Sequence, residues 1–245
     1  MKTLKIFLLS IFISLVFFSL TSCNEDDVTN SQVNSQSELS VLSKNSSELT
    51  SKQIAEYHNI AVELFLNNDN GHKKTVKEIE NSVIELMTAN YPDLMKNFEV
   101  DDNYNFIKSE YNTYSINPKR LGNIIDIGFD KLILDGKISS TFARDLKELT
   151  LNDEISFKDK ISFLDSYRIN GIYESNFIDV YKEVLTASNN LWNLNGTTAQ
   201  TKMKCSSGVI AADAVGAGLG LFGGPVWSII QGAVVSIAVN EDCDD

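Results

Sequence analysis

The sequence predicts an all-α protein: a multi-helix bundle followed by a C-terminal glycine-rich helical hairpin. Three observations carry this. Apolar residues between Ser51 and Trp192 recur at spacings of three and four, and no sustained two-residue alternation occurs. Only three prolines interrupt 245 residues, so long helices are permitted. Finally, the stretch CSSGVIAADAVGAGLGLFGGPVWSIIQGAVVSIAVNEDC, from Cys205 to Cys243, is almost entirely small or apolar.

Composition sets the bounds. Apolar residues make up 43%, too many for a disordered chain and enough for a sizeable core. The formal charge is −12, and removing Lys2 and Lys5 with a leader takes it to −14. That charge repels phosphate backbones, and no basic patch with interleaved aromatics offsets it, so nucleic acid is excluded as a partner.

Residues 1–22 have the layout of a secretory leader: a basic start, then an apolar run of 15 residues broken only by serines. A membrane span needs about 20. The leader closes on Leu20-Thr21-Ser22-Cys23, which resembles a bacterial lipobox. The resemblance implies a diacylated Cys23 as the mature N-terminus and a membrane partner held through that lipid. The following Asn24-Glu25-Asp26-Asp27 is similar to the surface-export signal of Bacteroidetes-type lipoproteins. The expected location is the outer membrane, lipid-anchored, facing periplasm or cell surface. Residues 23–50 are polar and read as a tether.

The helical domain is expected over 51–200. Ile54, Tyr57, His58, Ala61, Leu64 and Phe65 mark a first helix, stopped by the turn cluster 67–71. Val76, Ile79, Val83, Ile84, Leu86 and Met87 mark a second, ending before Tyr91-Pro92. A short helix is expected near 105–114. Pro118 opens another, with Leu121, Ile124, Ile125, Phe129, Leu132 and Ile133 inside. Asp135-Gly136 turns the chain, and Ser139 or Ser140 caps a helix through Leu149. Ser156 caps the next, with Ile161, Phe163 and Leu164 expected inside. A last helix runs from about Ser175 to Trp192, burying Phe177, Ile178, Tyr181, Val184 and Leu185.

Four stretches, Tyr57-His58-Asn59-Ile60-Ala61-Val62-Glu63-Leu64, the turn at 135–139, the helix end at 187–192 and the start of the glycine-rich tail at 213–217, together resemble a set of uncharacterised Bacteroidetes lipoproteins. The resemblance spans most of the mature chain. It implies a location and an architecture, and no activity.

Little in the chain points to catalysis. His58 lies on the apolar side of its helix, where a core histidine is the first reading and a ligand or general base the second. His72 follows Asn70-Gly71 in a turn. Aligning Gly136 with the sixth position of a calcium loop places Lys131 first, Ile133 third and Phe142 twelfth, which cannot bind calcium. No metal or cofactor is expected. No carboxylate pair is singled out for glycosidase chemistry. The expected class is not an enzyme.

With Cys23 acylated, Cys205 and Cys243 remain. An exported chain is expected to pair them, two free thiols being the alternative. Gly224 lies 19 residues from each. Gly223-Gly224-Pro225 is read as the turn of the hairpin in 201–245, with Pro225 at the first position of the second arm. The arms are 208–222 and 225–239. Small residues recur every fourth position, at Gly208, Ala212, Gly216 and Gly220, then at Ser228, Gly232 and Ser236, a pattern that lets backbones approach closely. The opposite faces carry Val209, Val215, Leu219, Leu221, Trp227, Ile230, Val234 and Ile237 and must be covered. Docking into the body is the favoured reading, ahead of insertion into a bilayer and of binding a partner's groove. The expected function is a lipid-anchored envelope protein with a binding or structural role, possible partners including another envelope protein. The alternative is a membrane-active, toxin- or bacteriocin-like protein acting through the hairpin.

Overall fold

A computed structural model describes residues 49–193 and 207–242. Among these are nine α-helices, three 3-10 turns and no strand, so the protein is all-α. The helices are α1 (Ser51–Asn68), α2 (Val76–Asn90), α3 (Pro92–Met95), α4 (Pro118–Leu134), α5 (Ser140–Leu151), α6 (Phe157–Ser166), α7 (Ile172–Asn193), α8 (Ser207–Gly220) and α9 (Pro225–Asp242). All lie in one compact unit, Ser43–Asp245. Cys23, Cys205 and Cys243, with the leader and the tether, fall outside the described residues.

Local chemistry starts most of the helices. Thr50 with Gln53 and Thr75 with Glu78 form capping boxes on α1 and α2, each satisfying backbone donors at both ends of the pair. Asn117 caps α4 with Pro118 behind it, Ser139 caps α5 and Ser156 caps α6. The C-terminus of α5 is held from a distance. Buried Lys160 of α6 donates to the carbonyls of Leu149 and Asn152, and burial holds its amine below the usual lysine range.

The core is the C-terminal pair. Every residue over 209–220 and 226–240 is buried. α8 packs on α7, α4 and α5, and α9 packs on α1 and α2, so amphipathic helices surround an apolar centre. Between the arms Leu221–Gly223 forms a 3-10 turn, and Gly224 takes φ 109°, a conformation open to glycine and strained for other residues.

Two expectations are corrected. The stretch 105–114 is not a helix; it holds a 3-10 turn at Lys108–Glu110, preceded by another at Asp102–Tyr104. Long-range bonds shape it: Asn105 donates to the Tyr111 hydroxyl, which donates to buried Glu80 of α2 at 2.7 Å. Ile161 and Phe163 are not core residues, for α6 lies at the periphery and turns only Lys160 and Leu164 fully inward.

Candidate functional site: a sealed polar junction

Inside this apolar centre four helices bring polar side chains to one point. His58 comes from α1, Ser188 and Trp192 from α7, Asp213 from α8 and Ser236 from α9, all fully buried. Helical spacing places them. His58 sits between Tyr57 and Ala61 on the buried face of α1, and Ser188 and Trp192 are one turn apart on α7. The stretches 57–64, 187–192 and 213–217, distant in sequence, therefore meet in space.

The bonds run in order. The Asn59 amide donates to Ala187 O at 3.0 Å, which turns its own oxygen toward His58 Nδ1 at 3.2 Å. This network places a proton on Nδ1. Nε2 lies 4.0 Å from Asp213 Oδ2, too far for a hydrogen bond. The same oxygen accepts from Trp192 Nε1–H at 3.0 Å. Gly232 makes room for the imidazole, since a Cβ there would stand 2.9 Å from His58 Cδ2.

Burial pushes the Asp213 carboxyl above its ordinary range, and His58, Ser188, Ser236 and Trp192 pull it back only in part. The two serine hydroxyls adjoin the carboxyl, yet neither closes a hydrogen bond of good geometry. His58 Nε2, Asp213 Oδ1 and both hydroxyl oxygens are without partners. Such groups cost the fold free energy. A carboxyl biased toward its neutral form therefore faces the imidazole across 4.0 Å. The junction ties four helices together, and no solvent reaches it.

The small-residue positions divide into those at the seam and those away from it. A Cβ on Gly216 would lie 3.1 Å from Gly232 Cα, and one on Gly220 would lie 2.9 Å from Ser228 Cα. Each of these pairs is equidistant from Gly224, which makes α8 and α9 antiparallel. Ser228 Oγ donates to Ala217 O across the seam at 2.6 Å. Ala212 is buried, and Ser236 belongs to the polar junction. Gly208 meets nothing within 4 Å. Gly223 and Pro225 flank Gly224 at the turn, where Gly223 lies against the Trp227 ring.

Two close approaches off the stripe carry no sequence signal of their own. Gly218 faces the Phe177 ring, with a Cβ at 2.7 Å, and Gly128 of α4 receives Leu219. Elsewhere, His72 is exposed in its turn, and Asp135 pairs with Lys131. Among the described residues no cluster of three His, Cys, Asp or Glu side chains is placed to hold a metal ion. No protein-family model, no curated protein and no solved structure matches the chain, so the junction stands on its own geometry.

Proposed function

We propose that the protein is a lipid-anchored envelope protein whose helical body serves a binding or structural role without catalysis. One observation carries the reading: the tail's apolar surface is consumed internally, all of 209–220 and 226–240 being buried by the protein's own helices. Attachment to a membrane then falls to the acyl chains expected on Cys23, at about 0.8 kcal/mol per buried methylene. The sealed state of His58 and Asp213 favours a role in the fold over one in turnover. Cells grown with an alkyne fatty acid test the anchor. The wild-type chain is expected to take up label and sediment with membranes, and Cys23→Ala to do neither; equal labelling of both would refute the anchor.

A second reading, release of α8 and α9 into a bilayer, draws on their uniform apolarity. Their lengths oppose it. α8 has 14 residues and α9 has 18, or roughly 21 and 27 Å against a hydrocarbon core of about 30 Å. No helix among the described residues is long and apolar enough to cross a membrane. Dye-filled liposomes separate the two readings, since only the second predicts leakage.

A further inference from the structure

The two most exposed large apolar side chains among the described residues lie at one end of the bundle, while Tyr114, at 49%, and Ile127, at 47%, are exposed elsewhere. Leu134 is 83% exposed, Ile172 65% and Tyr173 43%. The Tyr173 ring lies 6.3 Å from Phe222 in the turn between α8 and α9, and Tyr104 reaches the same ring at 6.2 Å. The Tyr104 hydroxyl donates to Asp135, next to Leu134. Phe222 and its neighbours Leu221 and Pro225 are only half-buried. Two lysines border the patch. Lys131 pairs with Asp135, and Lys137 stands 4.1 Å over the Tyr173 ring while donating to its hydroxyl. An apolar centre edged by tyrosine hydroxyls and lysine ammonium groups has the composition of a headgroup-level surface.

The N-terminal chain enters at the same end. The turn between α1 and α2 lies at the opposite pole: Val76 N donates to Thr113 O, and Ile116 N donates to Ala238 O near the end of α9. Tyr57 packs on Tyr91, and Phe98, shortly after it, stacks on Trp227 beside the α8–α9 turn. α1 therefore starts near that turn, with Thr50 at the exposed-patch end. Its neighbour α7 runs parallel: Phe177 near its start lies against Phe222 in the same turn, and Ala187 further along accepts from Asn59 of α1. On that register α7 begins about 9 Å beyond Thr50 at 1.5 Å per residue, so Ile172 and Tyr173 project furthest. Cys23 lies 27 residues before Thr50 in the sequence, so the acylated residue is joined to the body through this end.

We propose that this end of the molecule is a membrane-facing surface, on which Leu134 and Ile172 enter the headgroup boundary of the bilayer that holds the Cys23 lipid. The proposal rests on the lipid-anchor reading above. The acylated full-length chain is reconstituted in phosphatidylcholine vesicles with brominated acyl chains, as the variants Leu134→Trp, Ile172→Trp and His72→Trp. All three positions are exposed, and the native Trp192 and Trp227 are fully buried and contribute a constant background. Bromolipid is expected to remove most of the added fluorescence at positions 134 and 172 and none at position 72, which lies at the far pole. Equal quenching at all three positions, or none at any, in protein that floats with the vesicles overturns the proposal and leaves the anchor intact. Wild-type protein that carries no acyl chain and does not float overturns the anchor reading and this one with it.

Discussion

At the scale of single residues, Asp213 is a liability that the fold tolerates. Its carboxyl is raised from 3.8 by burial, so the folded state holds the proton more tightly than the unfolded one. The associated stabilisation is complete below the unfolded value and is lost as pH rises through the raised folded value. Asp213→Asn removes this loss while keeping an oxygen for the Trp192 N–H. The variant is expected to be more stable than wild type at pH 8 by about 1–3 kcal/mol, the usual cost of an unsatisfied buried polar group. The difference should shrink as pH falls toward 3.8. Thermal melts across that range measure it; a gap that does not change with pH would show that Asp213 does not titrate within the fold. Among the described residues, His58 is the titratable side chain that faces the carboxyl from a neighbouring helix; Trp192, Ser188 and Ser236 supply neutral dipoles.

At the scale of elements, one stripe of small residues contains positions of opposite character. Gly220 faces backbone, with a Cβ at 2.9 Å from both Ser228 Cα and Trp227 O. Gly220→Ala forces the two helices apart and is expected to lose about 1–3 kcal/mol. Gly208 meets nothing within 4 Å among the described residues, and Gly208→Ala is expected to gain up to about 1 kcal/mol through helix propensity. Urea midpoints of the two variants check the contrast; loss of stability in both would mean that Gly208 has a contact partner. The stripe's period is legible in the sequence, but which positions meet a partner depends on where α9 ends its contact with α8. Helix starts are legible because caps are local: Ser139 and Ser156 act within three residues of themselves. The 105–114 stretch is not legible, since its shape comes from Glu80, Val76 and Lys77 on a helix about 30 residues earlier in the chain. The polar junction is half legible. His58 stands out on an apolar face, whereas nothing local ties it to Asp213, 155 residues later.

At the scale of the whole molecule, the antiparallel register of α8 and α9 bears on the two cysteines. The seam pairs Gly216 with Gly232 and Gly220 with Ser228; Cys205 and Cys243, outside the described residues, are likewise each 19 residues from Gly224 in the sequence. A disulfide there would contribute about 4 kcal/mol by restricting the unfolded chain. Denaturing alkylation without reductant, followed by mass spectrometry, is expected to leave both thiols unmodified. Carbamidomethyl groups on both would refute the bond. The central position of this pair has a consequence for the order of events in the cell. The helices α1 to α7 are synthesised before the segment they enclose, and each is amphipathic with its buried face turned toward α8, α9 or a helix resting on them. Until residue 242 has been made, these helices can pack on one another, as α1 does on α7, but lack the central pair that covers the rest of their buried faces. On the export route proposed above, a core encoded behind its own shell would delay packing until the end of the chain had been delivered.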